Sequence, residues 1–180
     1  MHPLQLSVSM LKDYWKRADA LAVGESMGVI SISQMPPWND LCSELAWEIY
    51  SIEGGSFSAK HHGYCGVYRL IALASEGDPK NFVTLNRVCG QDSTGTLYIG
   101  EAGNLSNRLN QLRRSARSHR PERSHGAISM LRQIPILNFP LNKLGVALLF
   151  TDRDTTGVER DLIHAYMNSF GDAPPLNYRL

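Results

Sequence analysis

The 180 residues predict an α+β domain: a small, three-stranded, mainly antiparallel sheet flanked by helices, with an N-terminal helical extension. Three observations lead there. Apolar residues recur at helical spacing in the first fifty residues, and short β-rich runs replace them from Gly66 on. From that point the order is strand, strand, helix, helix, strand, helix, which suits a small sheet with helices packed on it. The length is that of one domain, and 43% hydrophobic with 19% charged residues is enough for a real core.

The elements follow in chain order. Leu11, Tyr14, Trp15, Ala18 and Leu21 form an apolar face, so residues 7–23 read as an amphipathic helix that Gly24 ends. Pro36-Pro37 precedes a second helix, starting at Trp38, with Leu41, Leu45, Ala46 and Ile49 on one side and Gly54-Gly55-Ser56 closing it. The polar stretch 56–63 reads as a boundary, which divides the chain into an extension over 1–60 and a main domain over 61–180. The tryptophans of the extension, Trp15, Trp38 and Trp47, fit packing better than a dimer surface.

Val67–Leu73 is rich in β-formers and reads as a strand, and Phe82–Val88 as another short one. Asp92-Ser93-Thr94-Gly95 signals a turn. Thr96–Gly100 follows as a strand, antiparallel to the first, which would bring Tyr68 and Tyr98 together. Leu105, Leu109 and Leu112 make the buried stripe of a helix starting near Asn104, with Arg108 at its margin. Ile128, Leu131 and Ile134 suggest a helix after His125, and Leu144–Phe150 a further strand. Asp154 or Thr155 can cap a last helix carrying Val158, Leu162, Ile163 and Tyr166, with Glu159 in its first turn and Gly171 at its end. Pro174-Pro175-Leu176-Asn177-Tyr178 reads as a fixed terminal loop.

A net charge of +1 hides an uneven distribution. Residues 1–60 carry seven acids against Lys12, Lys16, Arg17 and Lys60. From Ser106 to Arg132, seven arginines face one acid, Glu122. So many arginines with so few lysines favour phosphate contact, and a polyanion is the expected partner. Arg113, Arg114, Arg117, Arg120 and Arg123 of this stripe, with Arg87 upstream, are the candidate nucleic-acid contacts. The three cysteines have no metal-ligand spacing and read as free thiols in a reducing compartment. With no long apolar run and no signal-like start, a cytoplasmic protein is expected.

Chemistry-bearing residues recur in a definite order: Gly66-Val67-Tyr68, then Tyr98-Ile99-Gly100, Arg108 ten residues after Tyr98, Glu159 and Asn177. This set resembles the GIY-YIG nuclease superfamily. Gly66-Val67-Tyr68 is similar to the first signature, and Tyr98-Ile99-Gly100 is a literal copy of the second. The run from Tyr98 to Leu109 matches the family's path from its second tyrosine to its active-site arginine. The resemblance covers roughly residues 64–178. It departs from the usual pattern in two places. Tyr68 and Tyr98 stand thirty residues apart, with an insert over Ser75–Thr96 like that of some restriction-enzyme members. Leu112 stands where many members have a histidine or lysine; His125, with His119 in reserve, is the candidate polar partner.

The resemblance implies a metal-dependent endonuclease and these roles: Tyr68 as general base or orienter of the attacking water, Tyr98 and His125 beside it, Arg108 on a phosphate oxygen, Asn177 holding the site together. It also implies one Mg²⁺ (or Mn²⁺) per site on Glu159, and products with 5′-phosphate and 3′-hydroxyl ends. DNA is the expected substrate, with RNA open. A restriction-type enzyme acting as a homodimer fits the insert and the extension. A nuclease toxin, a mobile-element or repair nuclease, and a non-catalytic nucleic-acid-binding module are the alternatives.

Overall fold

The computed structural model describes residues 36–53, 63–118, 125–133, 139–151 and 154–177. The helix expected over 7–23, Trp15, Ile134, Tyr178, nearly all of the boundary stretch 56–63, and His119, Arg120 and Arg123 lie outside them. The described elements are α1 (Trp38–Glu44), β1 (Glu48–Ser51), β2 (Gly66–Ala72), β3 (Leu85–Arg87), β4 (Gly90–Asp92), β5 (Thr96–Ala102), α2 (Leu105–Arg117), α3 (Gly126–Gln133), β6 (Leu144–Phe150) and α4 (Thr155–Phe170).

The fold is α+β, with a main sheet of four strands, not three, in the order β1-β6-β2-β5, and its neighbouring strands pair antiparallel. The extra strand comes from the segment expected to be one long helix. That helix stops at Glu44, where Leu45 turns extended (φ −78°, ψ 138°). Trp47-Glu48-Ile49-Tyr50 then offers β-branched and aromatic residues, and the open edge of β6 takes Glu48–Ser51 as a strand partner. Helical spacing of Leu41, Leu45 and Ile49 loses here to the hydrogen bonds of an available sheet edge. Glu48–Ser51 is thereby built into the same sheet as β6, β2 and β5.

β2 and β6 lie at the centre and are buried at every position. They are covered on both faces, so their sequences are near-continuous apolar runs. One face packs on Leu105, Leu109 and Leu112 of α2 and Ile128 and Leu131 of α3. The other packs on Trp38, Leu41 and Leu45 beside α1, and on Leu162, Ile163, Tyr166 and Phe170 of α4. Each fully buried leucine contributes roughly 2 kcal/mol through removal of apolar surface from water. Trp38 is fully buried edge-on against Tyr166, as packing predicted.

The insert forms a separate two-stranded ribbon, β3 with β4, joined by Val88-Cys89. Phe82 contributes a single bridge to Leu73, so the strand expected over Phe82–Val88 is shorter than its β-forming residues suggested. Two helices start where the sequence placed them, and side chains cap both. The Asn104 side chain accepts from the Asn107 N–H at the start of α2, and Asp154 accepts from Gly157 at the start of α4. Gly171 closes α4 in the left-handed conformation. Because α4 begins at Thr155, Glu159 is its fifth residue and lies just past the first turn. No helix among the described residues is long and apolar enough to cross a membrane.

Candidate active site

Antiparallel pairing of β2 with β5 sets Tyr68 opposite Gly100, two residues along from Tyr98. Side chains two apart on a strand share a face, so the Tyr68 ring can lie over Gly100 and beside Tyr98. The ring centroids of the two tyrosines are 5.9 Å apart. A Cβ at Gly100 would stand 2.5 Å from Tyr98 Cε1 and 2.8 Å from the Tyr68 hydroxyl. The glycine of the second signature is therefore the space in which the two phenols meet. At Gly66 of the first signature, a Cβ would collide with the Leu149 carbonyl of β6. That glycine permits the close approach of the two central strands.

His125 immediately precedes α3, and its backbone N–H donates to Ser115 Oγ of α2 at 2.7 Å. The imidazole Nε2 lies 2.8 Å from the Tyr68 hydroxyl, and its ring is edge-on to both Tyr68 and Tyr98. Its Nδ1 is buried with no partner among the described residues. Burial, helped by the positive Arg108, pushes the His125 pKa down to about 4, so the ring is neutral near pH 7. Burial and the neighbouring Tyr98 phenol raise Tyr68 well above its ordinary value. Tyr98 is also raised, by burial and then by the Glu159 carboxylate. Tyr68 is thus a buried neutral phenol, 1% exposed, paired with a neutral imidazole.

α2 carries Arg108 one turn past its cap. The guanidinium sits 5.9 Å from the Tyr68 ring centroid and donates from Nη1 to Gln111 Oε1 at 3.1 Å. α4 approaches from the other face of the sheet and brings Glu159. Burial raises its carboxyl pKa, the nearby Glu101 carboxylate adds to the rise, and Arg108 opposes it. Glu101 is itself held by the Thr155 hydroxyl, which donates to Oε2 at 2.7 Å.

Asn177 closes the site by clamping a sheet edge. β5 is the outer strand, so Ile99 presents an N–H and a carbonyl away from β2. The Asn177 amide meets both: Oδ1 accepts from the Ile99 N–H at 2.9 Å and Nδ2 donates to the Ile99 carbonyl at 2.7 Å. The Leu176 N–H extends this pairing to the Leu97 carbonyl. The clamp falls between Tyr98 and Gly100.

These residues border one cleft of about 550 Å³, lined by Tyr98, Arg108, His125, Glu159 and Asn177 among others. Tyr68 is not in its wall; it lies behind Tyr98 and is joined to the wall through His125. Gln111, Thr156, Arg160 and His164 also line the cleft, and none was singled out in the sequence. The spacing of Thr156, Glu159, Arg160, Ile163 and His164 was the available signal, since it places them on one side of α4.

Two arginines of the stripe make hydrogen bonds within the protein. Arg113 donates to the Ile52 carbonyl and Arg114 to Asn110. Neither they nor Arg117 line the cleft. Arg87 is committed elsewhere, to Asp172 and the Ala173 carbonyl. The cysteines are free thiols; burial pushes Cys42 up to about 11, so it holds its proton.

Among the described residues no three His, Cys, Asp or Glu side chains converge as a metal cage. Mg²⁺ does not require one: it binds through one or two carboxylates and keeps several waters. Glu159, in the cleft wall with Glu101 close by, is a donor of that kind. No family model, curated protein or solved structure matches the chain.

Proposed function

We propose that the protein is a GIY-YIG-type endonuclease that hydrolyses phosphodiester bonds of DNA, with Glu159 holding one Mg²⁺ or Mn²⁺. The observation that carries this reading is the convergence of Tyr98, Arg108, His125, Glu159 and Asn177 on one cleft, with Tyr68 directly behind it. These positions lie far apart in sequence and reach the cleft from β5, α2, the residue before α3, α4 and the segment after α4.

Hydrolysis needs water placed in line with the leaving oxygen, a proton acceptor and neutralisation of phosphoryl charge. The bond from water oxygen to phosphorus forms as the bond to the 3′ oxygen breaks. A 5′-phosphate remains, and the departing oxygen takes a proton to become a 3′-hydroxyl. Arg108 supplies a planar cation for a non-bridging oxygen, with Gln111 fixing one end of its fork. A buried neutral phenol does not ionise freely near pH 7, so Tyr68 works as half of a pair. The proton from water would enter at the Tyr98 oxygen in the cleft wall, Tyr98 would hand its own to the Tyr68 oxygen, and the Tyr68 proton would pass to His125 Nε2. A divalent ion, when bound, polarises the phosphate and stabilises the leaving oxygen. Asn177 moves no proton; it fixes the strand segment that carries Tyr98.

Restriction-type cleavage by a homodimer, one active site per strand, is the form we favour within this class. Plasmid incubated with Mg²⁺ tests the reading. The wild-type protein should cut, and Glu159→Ala should lose at least about a hundredfold in rate while still binding DNA. Binding without cutting by the wild type would identify a non-catalytic module instead. Discrete fragments support the restriction form; a smear points to a non-specific nuclease.

A further inference from the structure

The β3–β4 ribbon, inserted between Tyr68 and Tyr98, stands at the far end of α4 from Glu159. Its contacts are specific. The Cys89 N–H, at the tip of the β3–β4 ribbon, donates to the carbonyl of Phe170, the last residue of α4, at 2.8 Å. Arg87, on β3, donates from Nη2 to Asp172 Oδ2 at 2.5 Å and to the Ala173 carbonyl at 2.6 Å. Its guanidinium also lies 5.7 Å from the ring centroid of Tyr166, whose hydroxyl donates to Asp92 at the end of β4. The Arg87 side chain is 12% exposed, so this ion pair is shielded from solvent on its arginine side.

Asp172 and Ala173 begin the strap that ends in the Asn177 clamp. Between Ala173 and Leu176 the chain is Pro174-Pro175, whose ring closure fixes φ at both positions. The Asn177 N–H then bonds back to the Pro174 carbonyl at 2.9 Å. A strap this stiff transmits position: where Ala173 is held determines where the Asn177 amide falls on β5.

We propose that the inserted ribbon is a clasp for the active site and that Arg87 is a positioning residue. It fixes Asp172–Ala173, the prolines carry that placement to Asn177, and Asn177 sets Ile99 and with it Tyr98 and Gly100. The structural half of this proposal stands independently; its catalytic half rests on the nuclease reading above.

Two readouts test it. The first is hydrogen exchange at the Ile99 amide, which the Asn177 side chain protects. Arg87→Ala should speed exchange there at least about tenfold, as Asn177→Ala does, while the central-strand amide of Leu148 stays protected. Arg87→Lys, which keeps the charge but not the fork, should fall between them. The second is cleavage. Arg87→Ala should lower kcat about tenfold with KM nearly unchanged, since a small misplacement of a catalytic group is costly in rate. Arg87→Ala/Asn177→Ala should be no slower than Asn177→Ala alone, because both act through one path. Unchanged Ile99 exchange in Arg87→Ala, or losses that multiply in the double variant, would overturn the proposal. If Arg87→Ala does not fold, Asp172→Asn weakens the same contact and carries the same measurements. A wild type that cuts nothing defeats the nuclease reading, and Ile99 exchange still decides the clasp.

Discussion

Gly100 shows how one residue can define a site by lacking a side chain. The Tyr68 hydroxyl and the Tyr98 ring edge both occupy the space a Cβ would take. Gly100→Ala must displace at least one phenol, at a cost of about 1–3 kcal/mol for overpacking. Cleavage should fall at least about a hundredfold because the displaced phenol leaves its hydrogen-bonding position. Denaturant unfolding and steady-state rates check the two halves; near-wild-type activity would contradict this placement of the rings. His125 gives a prediction in pH. Its ordinary value is 6.5 and its folded value about 4, so between these the unfolded chain binds the extra proton. Stability must then fall as pH is lowered through that window, by up to about 3 kcal/mol from this group. Replacing His125 with Gln removes the titration and should flatten the acid slope by as much as one proton. Urea titrations at a series of pH values between 4 and 7 measure that slope.

At the scale of elements, local chemistry was legible wherever one strong signal ruled. The apolar run Leu144–Phe150 is β6 to the residue, a helix starts beside Asn104 as expected, and of the two cap candidates Asp154 and Thr155 the structure uses Asp154. The order of elements after Gly66 followed the alternation of β-rich and helical runs. Residues 45–51 were misread because their helical spacing is real, while the partner that makes them a strand is a sheet edge a hundred residues later. The same limit applies to the site. Arg108, Glu159 and Asn177 were accessible through their order and flanking residues, and Tyr68 with His125 through the need for a polar partner. Gln111 and His164 were not, because what distinguishes them is the cleft they share. Arg87 looked like a phosphate contact on charge alone. Its partners Asp172 and Ala173 lie eighty-five residues away, beyond any local pattern.

Across the whole molecule, the two faces of the sheet divide the labour. One carries Tyr68 and Tyr98; the other holds a buried polar network that ties α1, β2, the insert and α4 together. Asp92, fully buried, accepts from the Thr94 N–H and hydroxyl, the Thr96 N–H and the Tyr166 hydroxyl. The equally buried Arg69 reaches Thr94, Thr96 and Cys42 and stacks on Trp47 at 4.3 Å. The threonines thus bridge two opposite charges inside the core. Asp92→Ala strands these donors and leaves Arg69 uncompensated, which should cost about 3–5 kcal/mol and lower Tm by about 10 °C or more. Calorimetry checks this; a shift of a degree or two would show that the network adds little. The central claim is that the cleft lined by Tyr98, Arg108, His125, Glu159 and Asn177 cuts phosphodiesters with a metal held by Glu159. It is tested most directly by the nicking rate of supercoiled plasmid in Mg²⁺, in EDTA, and with Glu159→Ala. Cutting that requires Mg²⁺ and is lost in Glu159→Ala is the predicted result; equal rates for both proteins in Mg²⁺, or none for either, would contradict it.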